Sequence, residues 1–237
     1  MIMELDIIHN ADCLDILRDM PSESIDLIVT DPPYKIIPHG SVGTMSGYVT
    51  RNKAMRGTVF DHNDIDISDY IDDLYRVLKD TAHCYIMCNN FNLPHFFDVI
   101  GKSKFKFTKL LIWDKCSPIC GRYYMTQTEF IFLLRKGSDK QINNCGTTDI
   151  LRFPNKRDKH GNLNIHDSQK PVPLFQTLIE NSSNEGEVVF DPFMGSGTTA
   201  IACIRSNRRY VGCEIDNKFY ELANKRIKLE KQQIKLF

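Results

Sequence analysis

Long apolar runs are missing from this 237-residue chain. No stretch approaches the roughly 20 residues that a membrane helix requires. The start, Met1-Ile2-Met3-Glu4-Leu5-Asp6, lacks the basic-then-apolar layout of a secretion signal. The expectation is a soluble, cytoplasmic protein with no membrane partner. Net charge is missing too, because 30 basic side chains balance 30 acidic ones. The eight cysteines include no Cys-x-x-Cys pair and no second His or Cys cluster at zinc spacing. No metal centre is therefore expected, and in a reducing compartment the thiols read as structural, not as a disulfide framework. A composition of 42% hydrophobic and 25% charged residues excludes disordered and collagen-like classes. The length suits a single α/β domain.

The charge balance hides an asymmetry. Residues 1–100 carry 7 basic and 16 acidic side chains, whereas residues 101–170 carry 14 and 6. Between Asp31 and Asp61 stand Lys35, Arg51, Lys53 and Arg56 with no acid among them. Two basic stretches in a neutral chain fit a localised polyanion surface, and on charge alone they fit solvated loops equally well.

Short apolar runs alternate with helical patterns throughout, the signature of a layered α/β sheet. Strands are expected at Leu5–His9, Ile25–Thr30, Ala82–Met87, Phe107–Trp113, Phe130–Leu134, Val188–Phe190 and Tyr210–Glu214. Helices are expected at Cys13–Arg18, Ile67–Leu78, Leu93–Ile100, Val172–Asn181, Thr198–Ser206 and Asn217–Lys231. Residues 35–63 show no period and read as a mobile basic loop, since a loop that long in a compact domain is usually functional. Residues 136–168 are polar and irregular.

Two motifs carry chemistry. Asp31-Pro32-Pro33-Tyr34 follows a buried strand that the prolines cannot continue. Ligands of such sheets bind beyond the carboxyl ends of strands. There Asp31 and the Pro32 carbonyl offer two acceptors for the two N–H bonds of an exocyclic amine, and proline supplies no competing donor. Tyr34 adds an aromatic face on which a base can stack. A purine amine is a poor nucleophile because its lone pair is delocalised into the ring. Accepting both protons favours a pyramidal nitrogen whose lone pair faces an electrophile, which is stabilisation of developing charge. The same residues also make good turn chemistry.

The second motif, Val188-Val189-Phe190-Asp191-Pro192-Phe193-Met194-Gly195-Ser196-Gly197-Thr198-Thr199, runs from strand through a glycine turn into a helix. It has no third glycine, unlike a dinucleotide fingerprint, and no lysine after Gly197, unlike a P-loop. The next strand ends on Glu214, where an acid can take both hydroxyls of an unphosphorylated ribose. A nucleoside without phosphates fits better than NADP or ATP, and a nicotinamide oxidoreductase is disfavoured.

With both motifs in place, the sequence resembles the S-adenosylmethionine-dependent amino-methyltransferases of nucleic-acid bases. Asp31–Tyr34 matches their catalytic tetrad and Phe193–Gly197 their cofactor loop. That order of motifs resembles the beta group of DNA N6-adenine and N4-cytosine methyltransferases. Asn10-Ala11-Asp12-Cys13, Trp113-Asp114-Lys115, Thr128-Glu129-Phe130 and Gln169-Lys170-Pro171 are similar to further runs of the family, so the likeness covers nearly the whole chain. It implies one Rossmann-like methyltransferase domain over residues 1–237, with a mostly parallel seven-stranded sheet and one antiparallel strand near the edge. Residues 136–168 would be a small target-recognition insert.

Residue by residue, the resemblance implies catalytic Asp31, Pro32, Pro33 and Tyr34. It implies S-adenosylmethionine contacts at Asp12, Cys13, Lys170, Asp191, Phe193, Gly195, Ser196, Gly197, Thr198, Glu214 and Asp216. The reaction implied is methylation of adenine N6 in double-stranded DNA, with the target base flipped onto Tyr34 because it cannot be reached inside a duplex. Candidate DNA contacts are Lys35, Arg51, Lys53, Arg56, Arg152, Lys156, Arg157 and Lys159. A homodimer and a cognate restriction nuclease are the further partners implied. The alternatives are N4-cytosine methylation, RNA adenine methylation and an inactive nucleic-acid-binding subunit. Trp113 reads as a core or rim residue and His166 as a loop histidine.

Overall fold

A computed structural model describes residues 3–33, 65–119, 124–154 and 169–234. Within them eight strands form one sheet: β1 (Ile7–His9), β2 (Ile25–Thr30), β3 (Leu78–Cys88), β4 (Lys106–Ile119), β5 (Thr126–Arg135), β6 (Ile150–Arg152), β7 (Val188–Asp191) and β8 (Arg209–Cys213). Six helices accompany them: α1 (Cys13–Asp19), α2 (Ile67–Val77), α3 (Leu93–Lys102), α4 (Val172–Ser182), α5 (Thr198–Arg205) and α6 (Asn217–Ile234). The strand order is β1-β8-β7-β2-β3-β5-β4-β6. Only β5 runs against its neighbours, pairing antiparallel with both β3 and β4.

Strand β2 is apolar on both faces, as a strand covered by helices on each side must be. Its residues alternate between two cores. Leu27 and Val29 join the one formed with α4 and α5, through Leu174, Leu178 and Ile201. Ile25 and Ile28 join the one formed with α1 and α2, through Leu17, Ile71 and Leu74. Helix α2 starts where Asp66 accepts from Ser68 N–H while Asp69 accepts from Asp66 N–H, a reciprocal cap that satisfies two otherwise orphaned donors.

The expected α/β class is borne out. The strand count is corrected from seven to eight: Ile150–Arg152, inside the stretch expected to be irregular, pairs parallel with β4 and buries Leu151. Three residues are too few to show alternation, and what makes them a strand is the free edge of β4. Expected elements otherwise agree to within a few residues at their ends, the largest extensions being β4, which continues to Ile119, β3, which begins at Leu78, and β5, which begins at Thr126. Among the described residues no disulfide forms, and Cys13, Cys84, Cys88, Cys203 and Cys213 are buried thiols. No described helix is long and apolar enough to cross a membrane, and no described group of His, Cys, Asp or Glu could hold a metal ion.

Candidate active site

Strands β2 and β7 are parallel neighbours, with Leu27 opposite Val189 and Ile28 opposite Phe190. From β7 the chain winds towards β8 and β1, and from β2 it winds towards β3. The sheet therefore reverses its winding between them, which opens a crevice at their carboxyl ends. Asp31 directly follows one strand and Asp191 ends the other, so the two chemical motifs meet although 160 residues separate them.

Asp191 is 2% exposed. Its Oδ1 accepts from Thr30 Oγ1 at 2.7 Å and from Phe193 N–H at 3.0 Å, and its Oδ2 accepts from Thr199 Oγ1. Burial pushes its carboxyl up to about 6, and the three hydrogen bonds pull back only in part. The turn it anchors passes through Gly195 at φ 52° and Gly197 at φ 84°, both left-handed conformations that favour glycine. A Cβ on Gly197 would sit 3.0 Å from Ala223 Cβ, whereas one on Gly195 would meet only the Phe193 carbonyl at 3.9 Å. Gly197 thus seats the turn on α6, and Gly195 leaves backbone open to an approaching ligand. Phe193 packs edge-on to Tyr70, with ring centroids 5.1 Å apart.

Beyond β8, Glu214 accepts from Gly195 N–H at 2.8 Å and from Asp216 N–H at 2.9 Å. Its own N–H donates to the His9 carbonyl at 2.9 Å, which ties the ends of β8 and β1 together. Asp216 accepts from Lys218 N–H at 2.8 Å at the start of α6. Asp12 caps α1 by accepting from Leu14 N–H at 2.9 Å. Burial first, and Asp12 beside it, push the Cys13 thiol up to about 12, so it stays protonated. Ser196 turns its hydroxyl to Arg226 of α6 at 2.9 Å. Thr198 Oγ1 lies 3.4 Å from the Lys170 carbonyl. The rim is thus built from carboxylates, which accept from hydroxyls, amines and ammonium groups. That set of acceptors suits an unphosphorylated nucleoside bearing an ammonium group and does not suit phosphate.

Asp31 stands in a different setting. Its Oδ2 meets Lys170 Nζ at 2.9 Å, and the same ammonium reaches Glu129 Oε2 at 3.1 Å. Glu129 Oε1 meets Lys115 Nζ at 2.6 Å. The Trp113 ring lies beneath both ammonium groups, 5.3 Å from Lys115 and 5.7 Å from Lys170. Its indole N–H donates to the Phe153 carbonyl at 2.8 Å. Asp31 Oδ1 is buried without a hydrogen-bond partner among the described residues. Burial raises the Asp31 carboxyl above the usual range, Lys170 opposes that, and Glu129 adds to it. Burial acts the same way on Glu129, but there the two lysines outweigh it and its carboxyl is lowered.

Asp12, Cys13, Asp31, Asp191, Glu214 and the Phe193–Thr198 turn all lie at the carboxyl ends of β1, β2, β7 and β8. Arg152 lies on edge strand β6, exposed, with its guanidinium 3.6 Å from Asp114. Tyr34, Lys35, Arg51, Lys53, Arg56, Lys156, Arg157 and Lys159 lie outside the described residues, as do His166, loop 35–63 and residues 155–168 of the expected insert. No role was expected for Thr30, Thr199, Lys115 or Glu129. The legible signal for Glu129 and Lys115 was a charge at the border of an otherwise apolar strand, where ionised groups are costly without partners.

Such an arrangement defines a Rossmann-like α/β domain that receives its ligands over the strand ends. A family model described as DNA methylase, of the N6/N4 type, matches residues 25–225, and the chain belongs to that family. It is 29% identical to the Type II methyltransferase M2.MboI of Moraxella bovis over 239 residues, covering 92% of this chain and 86% of that protein. It is 28% identical over 254 residues to the DNA adenine methyltransferase YhdJ of Escherichia coli (strain K12), covering 93% and 82%. The crystal structure of the M1.HpyAVI–SAM complex shares the fold, with a TM-score of 0.68 at 23% identity over 92% of this chain and 98% of that one.

Proposed function

We propose that this chain transfers a methyl group from S-adenosylmethionine to the N6 amine of an adenine flipped out of double-stranded DNA. The observation that carries this reading is the buried Asp31 Oδ1 just beyond the end of β2, without a hydrogen-bond partner among the described residues, where β2 lies beside the strand that leads into the glycine turn. The relative named as a DNA adenine methyltransferase supports the base, and the SAM complex of similar fold supports the cofactor.

When bound, S-adenosylmethionine supplies an electrophilic methyl group. Glu214 holds the ribose hydroxyls with Asp216 nearby, and Asp12, with the Cys13 N–H, holds the cofactor's adenine. Residues Phe193 to Thr198, including Gly195, Ser196 and Gly197, surround the methionine portion. Asp191 faces its amino group, since three hydrogen bonds occupy only part of the roughly four acceptor sites of a carboxylate. Asp31 Oδ1 accepts one N–H of the target amine and the Pro32 carbonyl accepts the other. Pro33, lacking an N–H, adds no competing donor. The nitrogen would gain positive charge as its bond to the methyl group forms and the methyl–sulfur bond breaks, the electron pair of that bond staying on sulfur as a neutral thioether, and the Asp31 carboxylate stabilises the charge on nitrogen. Oδ1 is then in place for the surplus proton.

Tyr34 stacks on the flipped base. Lys35, Arg51, Lys53 and Arg56 in loop 35–63 contact DNA phosphates. Arg152, Lys156, Arg157 and Lys159 in the insert at 136–168 contact the target, in a protein that works in the cytoplasm. A homodimer, and a nuclease acting on the same DNA site, complete the proposed setting.

The test is tritiated methyl transfer to unmethylated bacterial DNA, followed by nucleoside mass spectrometry. The expected product is N6-methyladenine, with the rate falling by at least about 100-fold in Asp31→Ala while cofactor affinity persists. N4-methylcytosine would replace the base and keep the chemistry. Absence of label from DNA despite cofactor binding would overturn the proposal.

A further inference from the structure

Four charged groups line up at the mouth of the crevice in the order Asp31, Lys170, Glu129, Lys115, with successive contacts of 2.9, 3.1 and 2.6 Å. Three elements and one loop supply them: the end of β2, the segment before α4, β5 and β4. The side chains of Lys170, Lys115 and Glu129 are only 13%, 10% and 15% exposed. Buried ion pairs of this kind seldom stabilise a fold more than well-packed apolar residues would. Their position against a strand-end carboxylate therefore calls for a role beyond stability.

The geometry assigns one. We propose that Glu129 and Lys115 position the Asp31 carboxylate through Lys170, so that Oδ2 is held by the lysine and Oδ1 is kept for the incoming amine. This rests on the reading of Asp31 as the group that receives the target amine. Lys170 is suited to the task because its two ends are anchored separately. Its carbonyl lies against Thr198 of the glycine turn, and Pro171, immediately after it, is the N-cap of α4. Its ammonium is then shared between two carboxylates. Glu129 draws the lysine back from Asp31, and Lys115 supplies the second positive charge that lets Glu129 do so while remaining ionised. A lysine paired with Asp31 alone would neutralise the acceptor that the amine needs. No lysine at all would leave two carboxylates together, and one would take up a proton. The chain of alternating charges sets Asp31 between those extremes.

Among the described residues, the groups that bear on Asp31 from the surrounding elements are Lys170, Glu129 on β5, Lys115 on β4, Cys88 on β3 and Asp191 on β7. Their signs give the proposal a signature that a purely structural network lacks. Glu129→Gln keeps the shape and removes a negative charge, so the acid limb of the pH–rate profile moves to lower pH. Lys170→Met removes the bridging cation, so the limb moves to higher pH. Each shift should be about one unit or more.

The experiment measures single-turnover methyl transfer from labelled S-adenosylmethionine to genomic DNA of a methylation-deficient bacterium, between pH 5.5 and 9. Wild type, Glu129→Gln and Lys170→Met are compared, and cofactor affinity is measured separately by calorimetry. The expected result is a rate loss of about 10- to 100-fold at neutral pH in each variant, opposed shifts of the acid limb, and, in Glu129→Gln, cofactor affinity within about threefold of wild type. Coincident pH profiles, or shifts in the same direction, would overturn the proposal. Loss of cofactor binding by Lys170→Met would overturn it too if Glu129→Gln, the conservative variant, showed no pH shift. No transfer by the wild type to any DNA would remove the underlying reading and the proposal with it, whereas transfer with unshifted profiles would remove the proposal alone.

Discussion

Lowering the pH from 7.5 to 5 should stabilise the fold through one carboxyl group, that of Asp191. Its side chain lies between β7, β2 and α5, where burial raises it from 3.8 to about 6 against the pull of Thr199, Thr30 and the Phe193 N–H. A shift of that size amounts to about 3 kcal/mol between the protonated and ionised limits. Because the folded value lies above the unfolded one, the contribution is whole below pH 3.8 and is lost as the pH rises through 6. Between pH 5 and 7.5 the loss works out at about 1.4 kcal/mol. Asp191→Asn isolates it, since the amide oxygen can still accept from the Phe193 N–H and Thr30 hydroxyl while the Thr199 hydroxyl turns to accept from the amide N–H. Urea unfolding of the two proteins at pH 5, 6 and 7.5 supplies the comparison. The stability of wild type minus that of the variant should fall by about 1.4 kcal/mol over that range. A difference that stays constant, or rises, would refute the claim that burial dominates at Asp191.

Two further outcomes follow from the packing. Gly197→Ala and Gly195→Ala both force a left-handed residue, at about 1–2 kcal/mol each, but only the first also drives a methyl to 3.0 Å from Ala223. Gly197→Ala should therefore unfold at the lower temperature in a thermal melt, and equal melting points would contradict the close approach of the turn to α6. His83 is held neutral by burial, with Nε2 donating to the Lys140 carbonyl at 3.0 Å and Nδ1 accepting from Ser182 Oγ at 2.8 Å, while Tyr85 OH donates to that same oxygen at 2.7 Å. Its lowered folded value means that this contribution is present above pH 6.5 and lost as the pH falls below it. Wild type should accordingly lose urea resistance relative to His83→Gln between pH 7 and 5, and parallel curves would show that the ring titrates freely.

Much of the fold was legible because its strands are short apolar runs closed by unmistakable punctuation. Asp31-Pro32-Pro33 ends β2, and Gly195 and Gly197 mark the turn before α5, each by a local backbone restriction that needs no knowledge of the rest of the chain. Strand β6 escaped detection because Ile150-Leu151-Arg152 is too short to show a period, and it forms only against β4. Its identity as a strand is a property of the edge it meets.

The candidate site divides along the same line. The amino-acid sequence by itself determined which chemistry is available: an acid followed by prolines, a glycine turn opening a helix and an acid after the next strand, all specified by neighbours within a few residues. It could not determine that β2 and β7 lie side by side, which rests on hydrogen bonds between residues about 160 positions apart. Nor could it determine that Lys170 bridges Asp31 and Glu129, since those three come from separate parts of the chain and meet only once the sheet has formed. The state of a buried charge is set by what stands within a few ångströms of it, and through space that neighbourhood is chosen by the tertiary fold alone.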